Sequence, residues 1–130
     1  MIAESAQGLY CAGGAFYPSG PVERASITHA HGDHARAGSS SYLCTPETAA
    51  LLRRRLVDAP IETLRYGERR RIGEVTVSFP PAGHMPGSAQ VSIEGPQGVW
   101  VLSGDDKREA DPTCAPLAPL RCDVFITEAT

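Results

Sequence analysis

The chain lacks the sequence features that are typical of membrane proteins, exported proteins and general polyanion-binding proteins. Its 130 residues contain no apolar run near the roughly 20 residues that a membrane-spanning helix needs, and no basic segment followed by an apolar one near the start. The chain has 12 Lys and Arg against 15 Asp and Glu. It therefore lacks the excess of positive charge that is typical of a general polyanion binder. We therefore expect a cytoplasmic protein without a membrane partner, in which any patch for nucleic acid is local.

Close cysteine pairs are also missing. The spacing of the four cysteines is neither that of a zinc knuckle nor that of a redox motif; they are Cys11, Cys44, Cys114 and Cys122. The sequence shows no export signal that would indicate an oxidising compartment. We expect reduced thiols that are mostly buried as small apolar residues. The hydrophobic fraction of 42% and the charged fraction of 21% predict one compact domain rather than a disordered chain.

Histidine is scarce, and all four histidines fall into one constellation. His29, His31 and His34 surround Asp33 in a His-x-His-x-Asp-His window, and the fourth is His84 after Gly83. A single loop histidine is usually solvated or hydrogen-bonded. Three histidines and an aspartate within six residues, however, bring several titratable groups close together. This crowding is energetically unfavourable, and a bound divalent cation would relieve it.

The spacing of the motif indicates two metal positions. Residues 25–28 are typical of the end of a buried strand, and Gly32 favours a tight turn after it. Side chains around such a turn can converge, so that His29 and His31 face one metal while Asp33 and His34 reach a second. Imidazole and carboxylate ligands suit zinc, with manganese or iron as alternatives.

Short strands lead to the remaining candidate residues. Residues 74–79 alternate, with Val75, Val77 and Phe79 on the buried face, and end just before His84. Residues 90–94 alternate again, 95–98 form a hairpin turn, and the apolar run 99–102 leads to Asp105. A further buried strand over 122–127 leads to Glu128, after a long surface loop over 107–120.

One helix and one basic strand complete the pattern. Thr45 as N-cap and Pro46 at the first position predict a helix, on which the arginines 53–55 fan out as a solvated surface. Arg69 and Arg71 alternate with Arg70 in a predicted strand, so they face the same way and are candidates for phosphate contacts.

These motifs, in this order, resemble those of the metallo-β-lactamase fold superfamily. Residues 83–90, Gly-His-Met-Pro-Gly-Ser-Ala-Gln, are similar to its nucleic-acid-processing branch, which includes the β-CASP and DNA cross-link-repair nucleases. The segments 8–11, 103–108, 111–116 and 122–130 resemble in particular the bacterial DNA ligase-associated exonuclease family.

The resemblance implies a fold and a ligand set. The fold is a four-layer αββα sandwich of the α/β (α+β) class, and residues 1–130 would form its N-terminal half, a partial domain truncated at its C-terminus. His29, His31 and His84 would hold one zinc, Asp33 and His34 the other, and Asp105 would bridge the two. A further histidine normally completes the second site, and no histidine follows His84 in this chain.

The implied activity is phosphodiester hydrolysis of DNA by an exonuclease of repair or end processing, using water activated by two zinc ions. Asp33, His84 and Asp105 would be the catalytic ligands, with Asp33 also orienting the nucleophile. Lys107, the Ser88 hydroxyl and the backbone N–H of Gly87 are candidates for substrate phosphate contacts. A turn-forming role for Gly87 and a solvated Lys107 are the structural alternatives. The implied partners are DNA and, by family resemblance, an ATP-dependent DNA ligase and a helicase.

Two other functions stay open. Another hydrolase of the same fold would act on a thioester, lactone or lactam, and would prefer small esters to labelled DNA. A metal-binding but inactive fragment would hold one ion tightly without turnover.

Overall fold

A computed structural model describes residues 2–5, 8–11, 24–28, 40–54, 60–104, 109 and 112–127. Within these ranges the chain forms ten strands and one helix. In chain order they are β1 Ile2–Ser5, β2 Gly8–Cys11, β3 Arg24–Ser26, β4 Ser41–Cys44, α1 Pro46–Leu52, β5 Ile61–Thr63, β6 Arg69–Ile72, β7 Val75–Ser78, β8 Val91–Gly95, β9 Gly98–Leu102 and β10 Val124–Ile126.

The strands form a hairpin and two larger sheets. β1 pairs antiparallel with β2. The five-stranded sheet has the order β10-β9-β8-β7-β6, in which β6 to β9 form an antiparallel meander and β10 runs parallel to β9. The three-stranded sheet has the order β3-β4-β5 and is parallel throughout. We call these two the meander sheet and the parallel sheet.

Strand β4 shows how the layers stack. Its side chains alternate between two faces, because successive residues of a strand point in opposite directions. Leu43 joins the larger apolar cluster with Val77, Phe79 and other inward residues of the meander sheet. Tyr42 and Cys44 join the smaller cluster, with Ala49 and Leu52 of α1 among its other members. The described chain therefore stacks a helix, the parallel sheet and the meander sheet, as expected for the first layers of an αββα sandwich.

The helix forms where its capping residues predict it. Thr45 has extended backbone angles, and its hydroxyl oxygen accepts from the Thr48 N–H at 3.4 Å. Pro46 occupies the first turn, where a missing N–H costs nothing, and Glu47 complements the positive end of the helix. The buried face of α1 consists of Thr48, Ala49 and Leu52. Arg53 and Arg54 just beyond it are exposed, as predicted.

The prediction of a buried strand over 122–127 is wrong. β10 covers only Val124–Ile126, at the edge of the meander sheet, and its sole neighbour among the described residues is β9. Ile126 packs against the larger cluster, whereas Phe125 points to the opposite face and is 48% exposed. An edge strand with one covered face needs apolar residues only at every second position.

The cysteines are free thiols. Cys11 and Cys44 are buried, while Cys114 and Cys122 are partly exposed, so burial is less general than the sequence predicts. Burial raises the pKa of the Cys44 thiol to about 12, against an opposing effect of Arg53. Cys44 is therefore a protonated core residue at neutral pH. In the described part of the chain, no helix has both the length and the apolarity needed to cross a bilayer.

The turn of the β8–β9 hairpin requires glycine at position 98, and this requirement can be tested. Gly98 has φ +104°, and a Cβ added there would collide with the Asp123 carboxylate, which accepts from the Val99 N–H at 2.7 Å. We expect Gly98→Ala to lower the free energy of unfolding by about 1–3 kcal/mol. Urea or thermal unfolding measures this loss.

Gly67→Ala is the matched control. Gly67 also has a positive φ, +83°, but nothing lies within 4 Å of an added Cβ, so this variant suffers backbone strain alone. A loss for Gly98→Ala no greater than that for Gly67→Ala would contradict a steric role for Asp123.

Candidate metal centre

Two of the predicted site residues, His84 and Ser88, are among the described residues. The remaining ones lie outside the described ranges: His29, His31, Asp33, His34, Asp105 and Lys107. Within the described part of the chain, no three His, Cys, Asp or Glu side chains group closely enough to hold a metal. The arrangement of the candidate centre is therefore inferred from the described residues that lie next to these motifs.

The residues preceding two of the motifs are in contact. Thr28 stands directly before His29, and Gly104 stands directly before Asp105. A Cβ added to Gly104 would lie 2.8 Å from the Thr28 Oγ1, so only glycine allows this approach without movement. The Thr28 carbonyl oxygen also accepts from the Ala89 N–H at 2.8 Å, and Ala89 lies five residues after His84. Backbone from all three motif segments thus meets at Thr28.

Sheet topology explains why these segments meet. β7 and β9 are both antiparallel to β8, so they run in the same direction and their carboxyl ends share one edge of the meander sheet. β7 leads to the loop that carries His84, and β9 leads to Gly104. In the parallel sheet the carboxyl ends of β3, β4 and β5 likewise share an edge, and Thr28, Thr45 and Leu64 follow there. The Thr28–Ala89 hydrogen bond joins the two edges.

His84 lies in a closed loop, residues 80–90, which we call the histidine loop. Its base is closed by an antiparallel bridge between Pro81 and Ala89 and by the Gln90 N–H, which donates to the Pro80 carbonyl at 2.7 Å. Gln90 is buried, and its side-chain amide donates to the carbonyls of Pro81 at 3.0 Å and Ala118 at 2.8 Å. His84 itself lies in the loop beyond this closed base and is half-buried.

Ser88 shapes the turn that carries His84. Its hydroxyl oxygen accepts from the backbone N–H groups of His84 and Met85, both at 3.1 Å, and the residue is 1% exposed. Its own N–H donates to the Met85 carbonyl at 2.9 Å. Ser88 thus holds the backbone of His84, and its contact with a substrate phosphate stays a prediction.

Gly87 docks the histidine loop onto the start of α1. It has φ +81°, and an added Cβ would lie 2.8 Å from the Thr48 backbone nitrogen. Its carbonyl oxygen accepts from two hydroxyls, Thr45 at 2.6 Å and Thr48 at 3.1 Å. Gly87 therefore has the turn-forming role that the sequence leaves as one of two alternatives.

Tyr66 holds the next carbonyl of the same loop. Its hydroxyl donates to the Ser88 carbonyl at 2.7 Å, and the Ala82 N–H donates to the same oxygen at 3.1 Å. Burial, with smaller effects of Glu47 and Cys114, raises the pKa of Tyr66 to about 12, so its phenol stays protonated at neutral pH. Sequence reasoning missed Tyr66 and Thr48 because they lie 22 and 39 residues from their acceptors, and no local pattern marks such partners.

The ends of β9 and β10 are joined beside Gly104. The Ser103 N–H donates to the Ile126 carbonyl at 2.9 Å, and the Ser103 Oγ lies 3.0 Å from the Thr127 Oγ1. This link brings the segment before Glu128 to the end of β9. Glu128 itself lies outside the described residues.

The arginines of β6 are partly engaged. Arg69 and Arg71 are exposed on one face, as predicted, and Arg69 forms an ion pair with Glu94. The Arg71 Nε donates to the Gly73 carbonyl at 3.2 Å. Their contact with phosphate stays a prediction.

Three curated relatives match large parts of the chain. A probable DNA ligase of Opitutus terrae is 36% identical over 113 residues, which cover 85% of this chain and 11% of the ligase. Ribonuclease TTHA0252 of Thermus thermophilus is 39% identical over 71 residues, or 54% of this chain and 16% of the ribonuclease. The 5′ exonuclease Apollo of Gallus gallus is 37% identical over 86 residues, or 61% of this chain and 19% of the exonuclease. No family model matches the chain.

A solved structure identifies the fold. The flavodiiron protein from Giardia intestinalis, which has the metallo-β-lactamase fold, superposes with a TM-score of 0.53 at 22% identity, covering 64% of this chain and 23% of that protein. The chain has the metallo-β-lactamase fold, and its sequence resemblance to the superfamily named after that fold is confirmed. Its resemblance to the nucleic-acid-processing branch of the superfamily is also confirmed. It spans only 11 to 19% of the length of the three curated relatives.

In this chain with the metallo-β-lactamase fold, the support that Tyr66 gives the histidine loop depends on pH. The folded-state pKa of Tyr66, about 12, lies above the unfolded-state value of about 10, so the unfolded chain loses this proton first as the pH rises. The stability that Tyr66 contributes is therefore complete below pH 10 and falls between about pH 10 and 12. We expect Tyr66→Phe to lower the free energy of unfolding by about 0.5–1.5 kcal/mol at pH 8. Above pH 10 the difference in this free energy between the parent and the variant should become smaller.

Urea unfolding of both proteins at pH 8, 9, 10 and 11 measures this difference. The other tyrosines titrate in both proteins and cancel in the comparison. A difference that is constant from pH 8 to 11 would contradict the placement of Tyr66 as a half-buried hydroxyl donor.

Proposed function

We propose that this chain is the metal-binding part of a nuclease that hydrolyses phosphodiester bonds in DNA. One observation carries the proposal: backbone next to three separate motifs meets at Thr28, through the Ala89 hydrogen bond and the close approach of Gly104. Residues at the ends of such strands can share a cation, as a two-metal site requires. The similarity to two nucleases, a ribonuclease and a 5′ exonuclease, supports nucleic acid as the substrate class.

The donor set fits two divalent cations. His29, His31 and His84 would hold one, Asp33 and His34 would hold the other, and Asp105 would bridge them. Neutral imidazole and carboxylate favour zinc, with manganese or iron as alternatives. When bound, such ions lower the pKa of a water molecule to near neutrality and neutralise charge on the phosphoryl oxygens.

The chain's own residues would position these groups and the substrate. Asp33 would orient the attacking water through a carboxylate oxygen, and the histidine loop would present the His84 imidazole from a fixed backbone. Lys107, which follows Asp105 by two residues, would bind a substrate phosphate as a point charge. Ser88 has a smaller part in substrate binding, because its hydroxyl oxygen already accepts two N–H groups and is 1% exposed.

The finer assignment is an exonuclease that acts in DNA repair or end processing. The match to a segment of a probable DNA ligase supports a link with DNA ligation, and we propose an ATP-dependent ligase and a helicase as partners of the whole protein. Cytoplasmic location belongs to the same proposal. The net charge of −3 fits a substrate bound at a local, metal-neutralised site better than one bound over a broad basic face.

The proposal predicts the effect of removing single ligands. In the full-length protein, Asp33→Ala and His31→Ala should each lower metal-dependent degradation of end-labelled DNA by more than about 100-fold, since even the loss of a residue that only supports a ligand costs about 10–100-fold. Circular dichroism should show an unchanged fold. Chelation should abolish activity, and added zinc should restore it.

Glu62→Gln is the matched control, because Glu62 is an exposed carboxylate outside the motifs that pairs with Arg70 at 3.3 Å. Its variant should keep full activity. Retained activity in both ligand variants would remove Asp33 and His31 from the mechanism. Hydrolysis of a thioester, lactone or lactam in preference to DNA, or tight binding of one ion without turnover, would overturn the nuclease assignment.

A further inference from the structure

Three hydroxyls from two distant parts of the chain converge on two consecutive carbonyls of the histidine loop. Thr45 and Thr48, at the start of α1, donate to the Gly87 carbonyl at 2.6 and 3.1 Å. Tyr66, which follows β5, donates to the Ser88 carbonyl at 2.7 Å. We call these three residues the hydroxyl clamp.

The two threonines of the clamp are buried and Tyr66 is half-buried, and together they leave the loop little freedom. Thr45 is 1% exposed and Thr48 is fully buried, so loss of either hydroxyl would leave the Gly87 carbonyl with one of its two donors. The Gly87 carbonyl accepts twice, and the Ser88 carbonyl accepts from Tyr66 and from the Ala82 N–H. Both acceptors are therefore saturated, which fixes the orientation of their peptide planes.

The clamp reaches His84 through Ser88. The same residue whose carbonyl is held by Tyr66 uses its hydroxyl oxygen to accept from the N–H groups of His84 and Met85. A shift of the Ser88 backbone would therefore move the backbone of His84. The clamp residues themselves follow the carboxyl ends of β4 and β5, at the edge of the parallel sheet where Thr28 follows β3.

We propose that Thr45, Thr48 and Tyr66 are positioning residues for His84, whose hydroxyls fix the histidine loop so that the imidazole is held at the metal centre. This inference rests on the proposed metal-dependent function. It assigns to these residues no contact with metal or substrate. Their effect on metal binding comes entirely through the backbone of residues 84–88.

Two variants test the clamp without disturbing the cap of α1. Thr48→Val keeps the shape of the side chain and removes one donor to Gly87, and Tyr66→Phe removes the donor to Ser88. Thr45 is avoided because its oxygen also accepts from the Thr48 N–H. In the full-length protein, each variant should weaken zinc binding, measured by chelator competition, by about 3- to 10-fold, less than the 10–100-fold typical of groups bonded directly to a ligand.

Two readouts separate positioning from general stability. Amide hydrogen exchange of residues 84–88 should be faster in both variants, and the absorption spectrum of the cobalt-substituted protein should change. Thr48→Ser, which restores the hydroxyl, should recover the parent's zinc affinity. Thr76→Val on β7 removes a hydroxyl away from the loop and should leave affinity and loop exchange unchanged.

The outcomes separate the clamp from the proposed function. Parent-like zinc affinity in both Thr48→Val and Tyr66→Phe would overturn the clamp, even if the parent is an active nuclease. A parent that binds no zinc would overturn the metal centre and, with it, the positioning of His84 toward a metal. Weakened zinc binding that Thr48→Ser fails to recover would also count against the hydroxyl as the cause.

Discussion

The hydrogen bond from the Ala89 N–H to the Thr28 carbonyl is the contact on which the candidate centre depends. Thr28 is 5% exposed, and it stands between the parallel sheet and the first histidine of the motif. The same residue is approached so closely by Gly104 that a side chain there would displace it. One buried residue therefore sets the distances among segments that are about 60 and 75 residues away along the chain.

Polar satisfaction gives this arrangement its rigidity. Carbonyls in the interior need donors, because an unpaired buried polar group costs about 1–3 kcal/mol. In the histidine loop the carbonyls of Gly87 and Ser88 find their donors on α1 and after β5 rather than only within the loop. The loop is thus tied to the scaffold, and rigid support of this kind holds a catalytic group within the small tolerance that chemistry requires.

Strand direction decides which ends come together. The meander places the carboxyl ends of β7 and β9 at one edge because both are antiparallel to β8, and β10 joins that edge by running parallel to β9. The parallel sheet places the ends of β3, β4 and β5 at a single edge for the same reason. Loops at such edges are common locations for binding sites, since the rigid sheet positions them while their sequences stay free to vary.

Much of the local structure follows from the sequence. The alternation of Val75 and Val77 predicts β7 and its buried face, and Thr45 with Pro46 predicts α1, because periodicity and capping depend on residues a few positions apart. The exposure of Phe125 is not predictable in this way. It depends on whether another strand or helix covers the sheet edge, and short apolar runs look alike in both cases.

The sequence by itself determined the residue types of the candidate centre, the strands and helix, and the resemblance that names the fold. Only the tertiary structure decided that Thr28, Ala89 and Gly104 meet, and that Thr48 and Tyr66 hold the histidine loop. The physical reason is distance along the chain: a hydrogen bond across 22 or 39 residues leaves no periodic trace, and its partners are chosen by packing of the sheets.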